Sequence, residues 1–181
     1  IPWFKRPLAI ATMLSSSIGL GAQALFGIPF VTFQFGFQDR SDFLHQNVMS
    51  YSGAELVNGL EDLSKVYLWD RQLQYYITSP TFFAAPYGQI KIQSADGHVD
   101  PGRFYHQLKE NNVSHILSRR QSKLEPKTSA AAIVQLAELD CLYPVANTPY
   151  NHFNSRTLKS IWNSSGFLDL WRISDKCDLL K

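Results

Sequence analysis

Length, composition and charge limit the classes of protein to which this chain can belong. Its 181 residues allow one ordinary domain plus a membrane element. The net charge of +2, with Glu125 among the basic side chains of residues 119–127, argues against a nucleic-acid-binding surface. The two cysteines, Cys141 and Cys177, form neither a CxxC motif nor a zinc-type cluster, which leaves a disulfide and two unpaired thiols as alternatives.

The first quarter of the chain is almost free of charge. Lys5 and Arg6 precede a stretch from Pro7 to Gln38 that contains no charged residue. About twenty residues in a helix rising about 1.5 Å per residue cross the roughly 30 Å of hydrocarbon in a bilayer. We therefore predict a transmembrane helix with an interfacial exit over residues 1–34, and an extracytoplasmic soluble domain over residues 35–181, with Lys5 and Arg6 on the cytoplasmic side of the plasma membrane.

Small and polar residues refine this prediction. The serines at 15–17 and Gln23 are costly against lipid and favour packing against neighbouring helices. The stretch is thus typical of one helix of a polytopic bundle, and an initial Ile rather than Met favours the end of a larger protein. Two alternatives stay open: a signal peptide, for which Ala22-Gln23-Ala24 offers a cleavage pattern, and the buried helix of a soluble protein.

From Ser41 onward, helical and extended patterns alternate. Ser41 is predicted to be the N-cap of one helix, and a second helix begins near Ser52. We predict a buried strand over residues 65–69, followed over residues 72–77 by a continuation of that strand or by a short helix. A further strand is predicted over residues 87–92.

The clearest unit begins at Asp100, an N-cap followed by Pro101 at the first helical position. That helix is predicted to end at Asn111 and Asn112. The later predicted elements are a strand over residues 113–117, a helix over 128–139, an extended segment over 142–145 and a final strand over 167–173. This order predicts an α/β, sandwich-like domain with a partly parallel sheet.

No nucleophile elbow, phosphate-binding loop or HExxH motif is present in the sequence. His115 lies in an apolar strand, which favours a buried structural histidine. Asp96, His98 and Asp100 alternate around a turn, and a metal site there is the weaker interpretation. We therefore assign no catalytic residue and no metal ligand to this chain.

The weak candidates for ligand binding follow the strand at 65–69. Asp70 and Arg71 come directly after it, at the end where α/β folds place functional groups, and Tyr75 and Tyr76 follow. The competing interpretation of these four residues is a local salt bridge with aromatic packing.

Several degenerate motifs, taken in order, resemble the C-terminal end of bacterial membrane glycosyltransferases that use polyprenol-phosphate sugars. These enzymes are related to protein O-mannosyltransferases and to the aminoarabinose transferase that modifies lipid A. The motifs are an aromatic exit at Phe33-Gln-Phe-Gly36, the helix start Ser41-Asp-Phe-Leu44, a Tyr-x-x-Ala-x-x-x-Asn segment at 51–58, a Lys-Val-Tyr-Leu strand with a Tyr-Tyr stretch at 65–80, and a helix leading into His-Ile-Leu at 104–117.

The resemblance implies that this chain is the last membrane helix and extracytoplasmic domain of such an enzyme. Its partners would be an upstream membrane bundle of the same polypeptide, a lipid-linked sugar and an envelope acceptor, with no nucleic acid. The catalytic acid of the family lies in an upstream loop absent here, so this chain would not be catalytic by itself. No cofactor is expected in this chain, and a divalent metal in the whole enzyme is left open. The alternative function is that of a secreted or single-span, non-catalytic ligand-binding domain.

Overall fold

A computed structural model describes residues 5–83, 100–120, 128–152 and 164–177. The chain divides into two compact units, the first reaching Val48 and the second beginning at Met49. The predicted strand at 87–92 lies outside the described residues, as do Asp96 and His98 of the predicted turn.

The first unit contains two described helices, α1 (Lys5–Gln34) and α2 (Arg40–Asn47). Asp39, rather than the predicted Ser41, is the N-cap of α2, because its carboxylate accepts a hydrogen bond from the Ser41 N–H at 3.0 Å. Phe43 is the buried residue of α2, and its ring stacks on Phe33 with centroids 4.5 Å apart.

The predicted helix at the N-terminus is present as α1, but the predicted transmembrane span is not supported. Among the helices in the described part of the chain, none is both long and apolar enough to cross a membrane. The serines at 15–17 and Gln23 are among the residues that lower the hydropathy of α1, since hydroxyl and amide groups partition poorly into hydrocarbon.

The described part of the second unit is built on a five-stranded mixed sheet with helices on both faces. Its described elements are α3 (Tyr51–Asn58), β1 (Val66–Leu68), a 3₁₀ turn (Arg71–Tyr75), β2 (Thr81–Phe83), α4 (Pro101–Glu110), β3 (His115–Arg119), α5 (Ser129–Glu138), β4 (Leu142–His152) and β5 (Ser164–Ile173). The strand order is β2-β1-β3-β5-β4. Strands β2, β1 and β3 are parallel, and β5 runs antiparallel to both β3 and β4. The predicted α/β class with a partly parallel sheet is confirmed.

Successive side chains of a strand point to opposite faces of the sheet, so the core is divided into two clusters, one on each face. Tyr67 and Ile116 point to the face covered by α4 and α5. Leu68 and Leu117, the next residues along, point to the face covered by α3 and the 3₁₀ turn. The sequences of the central strands are therefore continuous apolar runs, as expected for strands that are buried on both faces.

Two strands differ most from the prediction. β4 runs over eleven residues, well beyond the predicted segment at 142–145, although Pro144 and Pro149 lie within it. β4 is at the edge of the sheet, where a missing N–H removes no inter-strand hydrogen bond on its outer side. The second difference is β2, a three-residue strand directly after Pro80 that the sequence analysis did not predict.

Cys141 and Cys177 form a disulfide, which decides between the two alternatives left open by the sequence. Cys141 immediately precedes β4, and Cys177 follows β5. The segment after β5 is also held by Tyr105, whose hydroxyl donates to the Ser174 carbonyl oxygen at 2.7 Å.

Candidate functional site

The carboxyl ends of β1 and β3 form a topological switch point. After β1 the chain turns to one face of the sheet, where Leu73 of the 3₁₀ turn joins the cluster around Leu68. The helix that follows β3, α5, packs on the opposite face, where Ile133 joins the cluster around Tyr67. Because the two connections leave in opposite directions, a crevice opens between the strand ends, the usual place for ligand sites in open α/β sheets.

A cleft of about 250 Å³ lies at this edge, and we call it the switch-point cleft. Its lining residues are Met49, Ser50, Trp69, Asp70, Gln72, Leu73, Leu117, Arg119 and Leu168. The leucines come from the sheet and the 3₁₀ turn and make an apolar floor. The polar side chains come from the end of β3, from the segment after β1 and from the segment before α3. The cleft thus combines an apolar wall with a few polar groups, as small-molecule sites do.

Asp70 is the N-cap of the 3₁₀ turn. Its Oδ1 accepts a hydrogen bond from the Gln72 N–H at 2.9 Å. Its Oδ2 is buried and has no hydrogen-bond partner among the described residues. A buried carboxylate oxygen without a donor costs free energy, so this atom is a ready acceptor for an incoming hydroxyl or amine.

Trp69 lies at the mouth of the switch-point cleft, directly after β1. Its backbone N–H donates to the Leu117 carbonyl oxygen at 3.2 Å, which ties it to β3. Its side chain is 36% exposed, which is a large exposed fraction for an indole beside a buried strand. A partly exposed indole offers an apolar surface to a ligand.

Ser50 completes the site from the other side. Its backbone is left-handed, with φ of 64°, and the residue is buried. It precedes α3 as N-cap, but its side chain makes no capping hydrogen bond. Non-glycine residues in this conformation are strained and cluster at functional sites.

Arg119 ends β3 and brings a cation to the cleft. Its guanidinium lies over the ring of Tyr150, 4.9 Å from the ring centroid, which orients the side chain. The next residue, Arg120, is instead engaged by Asp169 through two hydrogen bonds, one of them 2.9 Å from Nε to Oδ2. That hydrogen bonding and the carboxylate charge raise the pKa of Arg120 above its ordinary value. Arg119 is the last residue of β3 and Arg120 directly follows it, so the basic stretch that begins at residue 119 starts within the sheet.

The structure brings only one of the four sequence candidates, Asp70, into the lining of the switch-point cleft. Arg71 is the exposed first residue of the 3₁₀ turn, and Tyr75 is 76% exposed. Tyr76 packs edge-to-face on Tyr51 with centroids 5.5 Å apart, and its carbonyl oxygen accepts from Asn58 Nδ2 at 2.8 Å.

Sequence reasoning missed Ser50, Trp69, Gln72 and Arg119. Trp69 carried a signal, because it is a large side chain at the carboxyl end of the predicted strand at 65–69, whereas Arg119 lies two residues beyond the predicted strand at 113–117. Ser50 carried none, since it reaches the cleft only when α3 packs on the sheet, where the Ser52 hydroxyl donates to the Pro149 carbonyl oxygen at 2.9 Å.

A second cleft, also of about 250 Å³, lies at the opposite edge of the sheet and is mainly polar. Two ion pairs line it, Arg172 with Asp62 at 3.2 Å and Lys109 with Asp175 at 2.6 Å. His115 is buried beside it, as predicted for a structural histidine, with Nδ1 2.9 Å from the Ser114 hydroxyl. Burial lowers the pKa of His115, an effect that Asp62 opposes and Arg172 reinforces. Because its charges are already paired, this cleft is a weaker candidate than the switch-point cleft.

Within the described ranges, no three or more histidine, cysteine, aspartate or glutamate side chains are grouped so that they could hold a metal ion. Comparison of the chain with protein-family models, with curated proteins and with solved structures found no match. The glycosyltransferase resemblance therefore stays a prediction from the sequence.

Proposed function

We propose that this chain is the C-terminal part of a membrane glycosyltransferase that transfers a sugar from a lipid-phosphate carrier to an envelope acceptor. It would comprise one helix of the membrane bundle and the extracytoplasmic domain that shapes the acceptor side of the active site. The ordered motifs from Phe33 to Leu117 support this proposal, and the exposed apolar surface of α1 carries it. The catalytic acid would lie upstream in the same polypeptide, as in the family that the chain resembles.

The exposure of α1 is the main physical argument. Thirty helical residues span roughly 45 Å at about 1.5 Å per residue. Its large apolar side chains Ile10, Met13, Leu14, Ile18 and Leu20 are each between 60% and 72% exposed. This many exposed apolar side chains on one helix favour a cover of lipid or protein. The serines and glycines among these side chains favour close contact with neighbouring membrane helices, so we propose a place within a bundle rather than a lone span.

The disulfide supports the proposed compartment. Disulfides persist outside the cytoplasm and are rare inside it, where thiols are kept reduced. The Cys141–Cys177 bond therefore fits a domain on the extracytoplasmic face of the plasma membrane. The proposed partners are the upstream bundle, the lipid-linked sugar and the acceptor, with no nucleic acid. We assign no catalytic residue to the chain and propose no metal within it.

Topology and transfer can be tested together in cells of the source organism that express the complete reading frame. We expect the protein to stay in membranes after carbonate washing. Cys141 and Cys177 should react with a maleimide–polyethylene glycol only after reduction. Removing residues 35–181 from the complete protein should abolish transfer of radiolabelled sugar from a polyprenol-phosphate donor. Release by carbonate together with two free thiols would refute the proposal.

The alternative, a secreted or single-span ligand-binding domain, is favoured by one observation. The switch-point cleft is formed entirely by residues of the second unit and would not need an upstream bundle. Mass spectrometry of the mature protein tests for the secreted domain. Cleavage near Ala24 would support the secreted domain. An uncleaved α1 is expected for both a single-span domain and the transferase, and the transfer assay then separates these two.

A further inference from the structure

We infer that the switch-point cleft binds a single neutral saccharide unit, with Trp69 and Asp70 as its main contacts. This deepens the proposed function and rests on it for the biological source of the sugar, the acceptor glycan. The chemistry of the cleft itself points to the ligand class.

The size of the cleft suits one sugar ring. Its volume of about 250 Å³ is below the roughly 300–1,000 Å³ of sites for drug-sized ligands. The cleft therefore encloses a group smaller than a drug-sized ligand. A pyranose is a compact ring with polar hydroxyls at its rim and C–H groups on its faces.

The lining matches both surfaces of such a ring. Leu73, Leu117 and the partly exposed indole of Trp69 provide apolar surface for the C–H face. Around them, Asp70 can accept hydrogen bonds, Arg119 can donate them, and the Gln72 amide can do both. Sugar hydroxyls, which donate and accept at once, can use all three types of partner.

Asp70 gives the strongest single indication of a hydroxyl donor. One carboxylate oxygen is used by the Gln72 N–H, and the other is buried without a partner among the described residues. A ligand hydroxyl would supply the missing hydrogen bond, and a bond to an ionised carboxylate is stronger than one between neutral groups. Sites built around such a bond discriminate strongly against analogues that lack the hydroxyl.

The charges in the cleft argue against ligands that carry a net charge of one sign. A phosphate or a carboxylate attracted by the Arg119 cation would be repelled by the Asp70 anion, and an ammonium ion attracted by Asp70 would be repelled by Arg119. A neutral ligand avoids both repulsions and can still use both groups as hydrogen-bond partners. This balance distinguishes the switch-point cleft from a binding site for the phosphate of a lipid carrier.

The test is a titration of the whole 181-residue chain in detergent micelles with the methyl pyranosides of glucose, galactose, mannose and N-acetylglucosamine. Inorganic phosphate, ethanolamine and glycerol are titrated in parallel. Binding is followed by NMR through the indole N–H of Trp69, assigned with the Trp69→Phe variant. We expect at least one pyranoside to shift this signal with a Kd on the order of 1–10 mM, and the three control compounds to leave it unchanged.

Matched variants show whether the contacts are those inferred. Trp69→Ala and Asp70→Asn should each weaken pyranoside binding about tenfold, as measured by shifts of the remaining cleft residues. Tyr143→Ala removes another half-exposed ring, and Asp100→Asn alters another capping carboxylate. Both lie outside the cleft, so both should bind as the unchanged chain does. If Trp69→Ala does not fold, Trp69→Phe replaces it. If Asp70→Asn does not fold, Asp70→Glu replaces it.

Three results would overturn the inference: no shift with any pyranoside, equal affinity in the cleft variants and the controls, or a shift with phosphate or ethanolamine alone. These outcomes are independent of the topology and transfer assays. Absence of sugar binding in a membrane-embedded transferase would reject only the cleft assignment. Sugar binding by a domain that proves to be secreted would reject only the proposal that the chain is part of a transferase.

Discussion

His115 shows how burial sets the protonation of a single residue. Its imidazole lies at the start of β3 with a lowered pKa, and burial is the main cause. The carboxylate of Asp62 and the guanidinium of Arg172 act on it with opposite signs. The folded state therefore holds the neutral imidazole in preference to the cation.

We predict that His115 makes the protein less stable as pH falls below about 6.5, its ordinary pKa. The unfolded chain protonates first on acidification, so it binds more protons than the folded chain in that range. The free energy of unfolding then decreases by up to about 1.4 kcal/mol per pH unit, until the pH is below the pKa of the folded state. Urea denaturation between about pH 7.5 and 5 measures this slope.

The control for that experiment is a pair of variants. His115→Gln should lose the contribution to the slope, and His106→Gln, which changes an exposed histidine of α4, should keep it. Equal slopes in the unchanged chain and His115→Gln would contradict the prediction.

Gly166 is needed because a ring occupies the space of its missing side chain. It pairs with Tyr150 across β5 and β4, and a Cβ at this position would lie 2.8 Å from the tyrosine ring. Tyr150 is buried and also lies under the Arg119 guanidinium, so it cannot move without loss of packing.

We predict that Gly166→Ala lowers the free energy of unfolding by about 1–3 kcal/mol, the usual cost of overpacking. Thermal and urea denaturation measure the change. Gly59→Ala is the matched control, since a Cβ there makes only ordinary contacts, the nearest at 3.6 Å, and φ is −80°. A Gly166→Ala variant as stable as Gly59→Ala would show that Tyr150 moves freely.

At the scale of elements, three short helical segments begin in the same way. Asp39, Asp70 and Asp100 each accept a hydrogen bond from the N–H two residues ahead, at 3.0, 2.9 and 2.9 Å. Asp100 also accepts from the Arg103 N–H at 3.2 Å, so it satisfies two of the unpaired donors of α4. Asp70 differs from the other two because it also lines a cleft.

We predict that Asp100→Ala lowers the free energy of unfolding by about 0.5–2 kcal/mol through loss of the α4 cap. Asp100→Asn keeps the acceptor and should lower it by less than half as much. Urea denaturation of both variants at neutral pH measures the difference. Equal losses would mean that the carboxylate charge, and not the capping hydrogen bond, stabilises the helix.

At the scale of the molecule, the disulfide closes a long loop of the chain that contains β4 and β5. Its two cysteines are 36 residues apart in sequence and lie at the ends of this strand pair. A crosslink over such a loop restricts the unfolded chain, which stabilises the folded state by about 4 kcal/mol on the loop-entropy estimate.

We therefore predict that Cys141→Ala/Cys177→Ala lowers the melting temperature and the free energy of unfolding, by about 2–4 kcal/mol. Dithiothreitol should destabilise the unchanged chain by a similar amount and leave the double variant unaffected. Calorimetry with and without reductant makes the comparison. A double variant as stable as the oxidised protein would assign the stability to packing alone.

Local patterns determined most of the elements and the fold class. The Asp100-Pro101 start, the apolar runs of β1 and β3 and the alanine-rich α5 each depend on short-range preferences that a sequence displays. The extents of the strands were harder to predict. The length of β4 is set by ten residue pairs with β5, and the partners in these pairs are distant in sequence. Asp70 and Trp69 could be found at the end of a predicted strand, but Ser50 and Arg119 required knowledge of which elements are neighbours.

By itself, the sequence determined the apolar N-terminal helix, the α/β class and the position of Asp70 after a buried strand, because hydrophobic periodicity and capping act over a few residues. Only the tertiary structure decided that Cys141 pairs with Cys177, that β1 and β3 are neighbours, and that Ser50, Trp69, Asp70 and Arg119 line one cleft. These contacts join residues that are far apart along the chain. Such contacts depend on how the two faces of the sheet are covered, which short-range preferences do not encode.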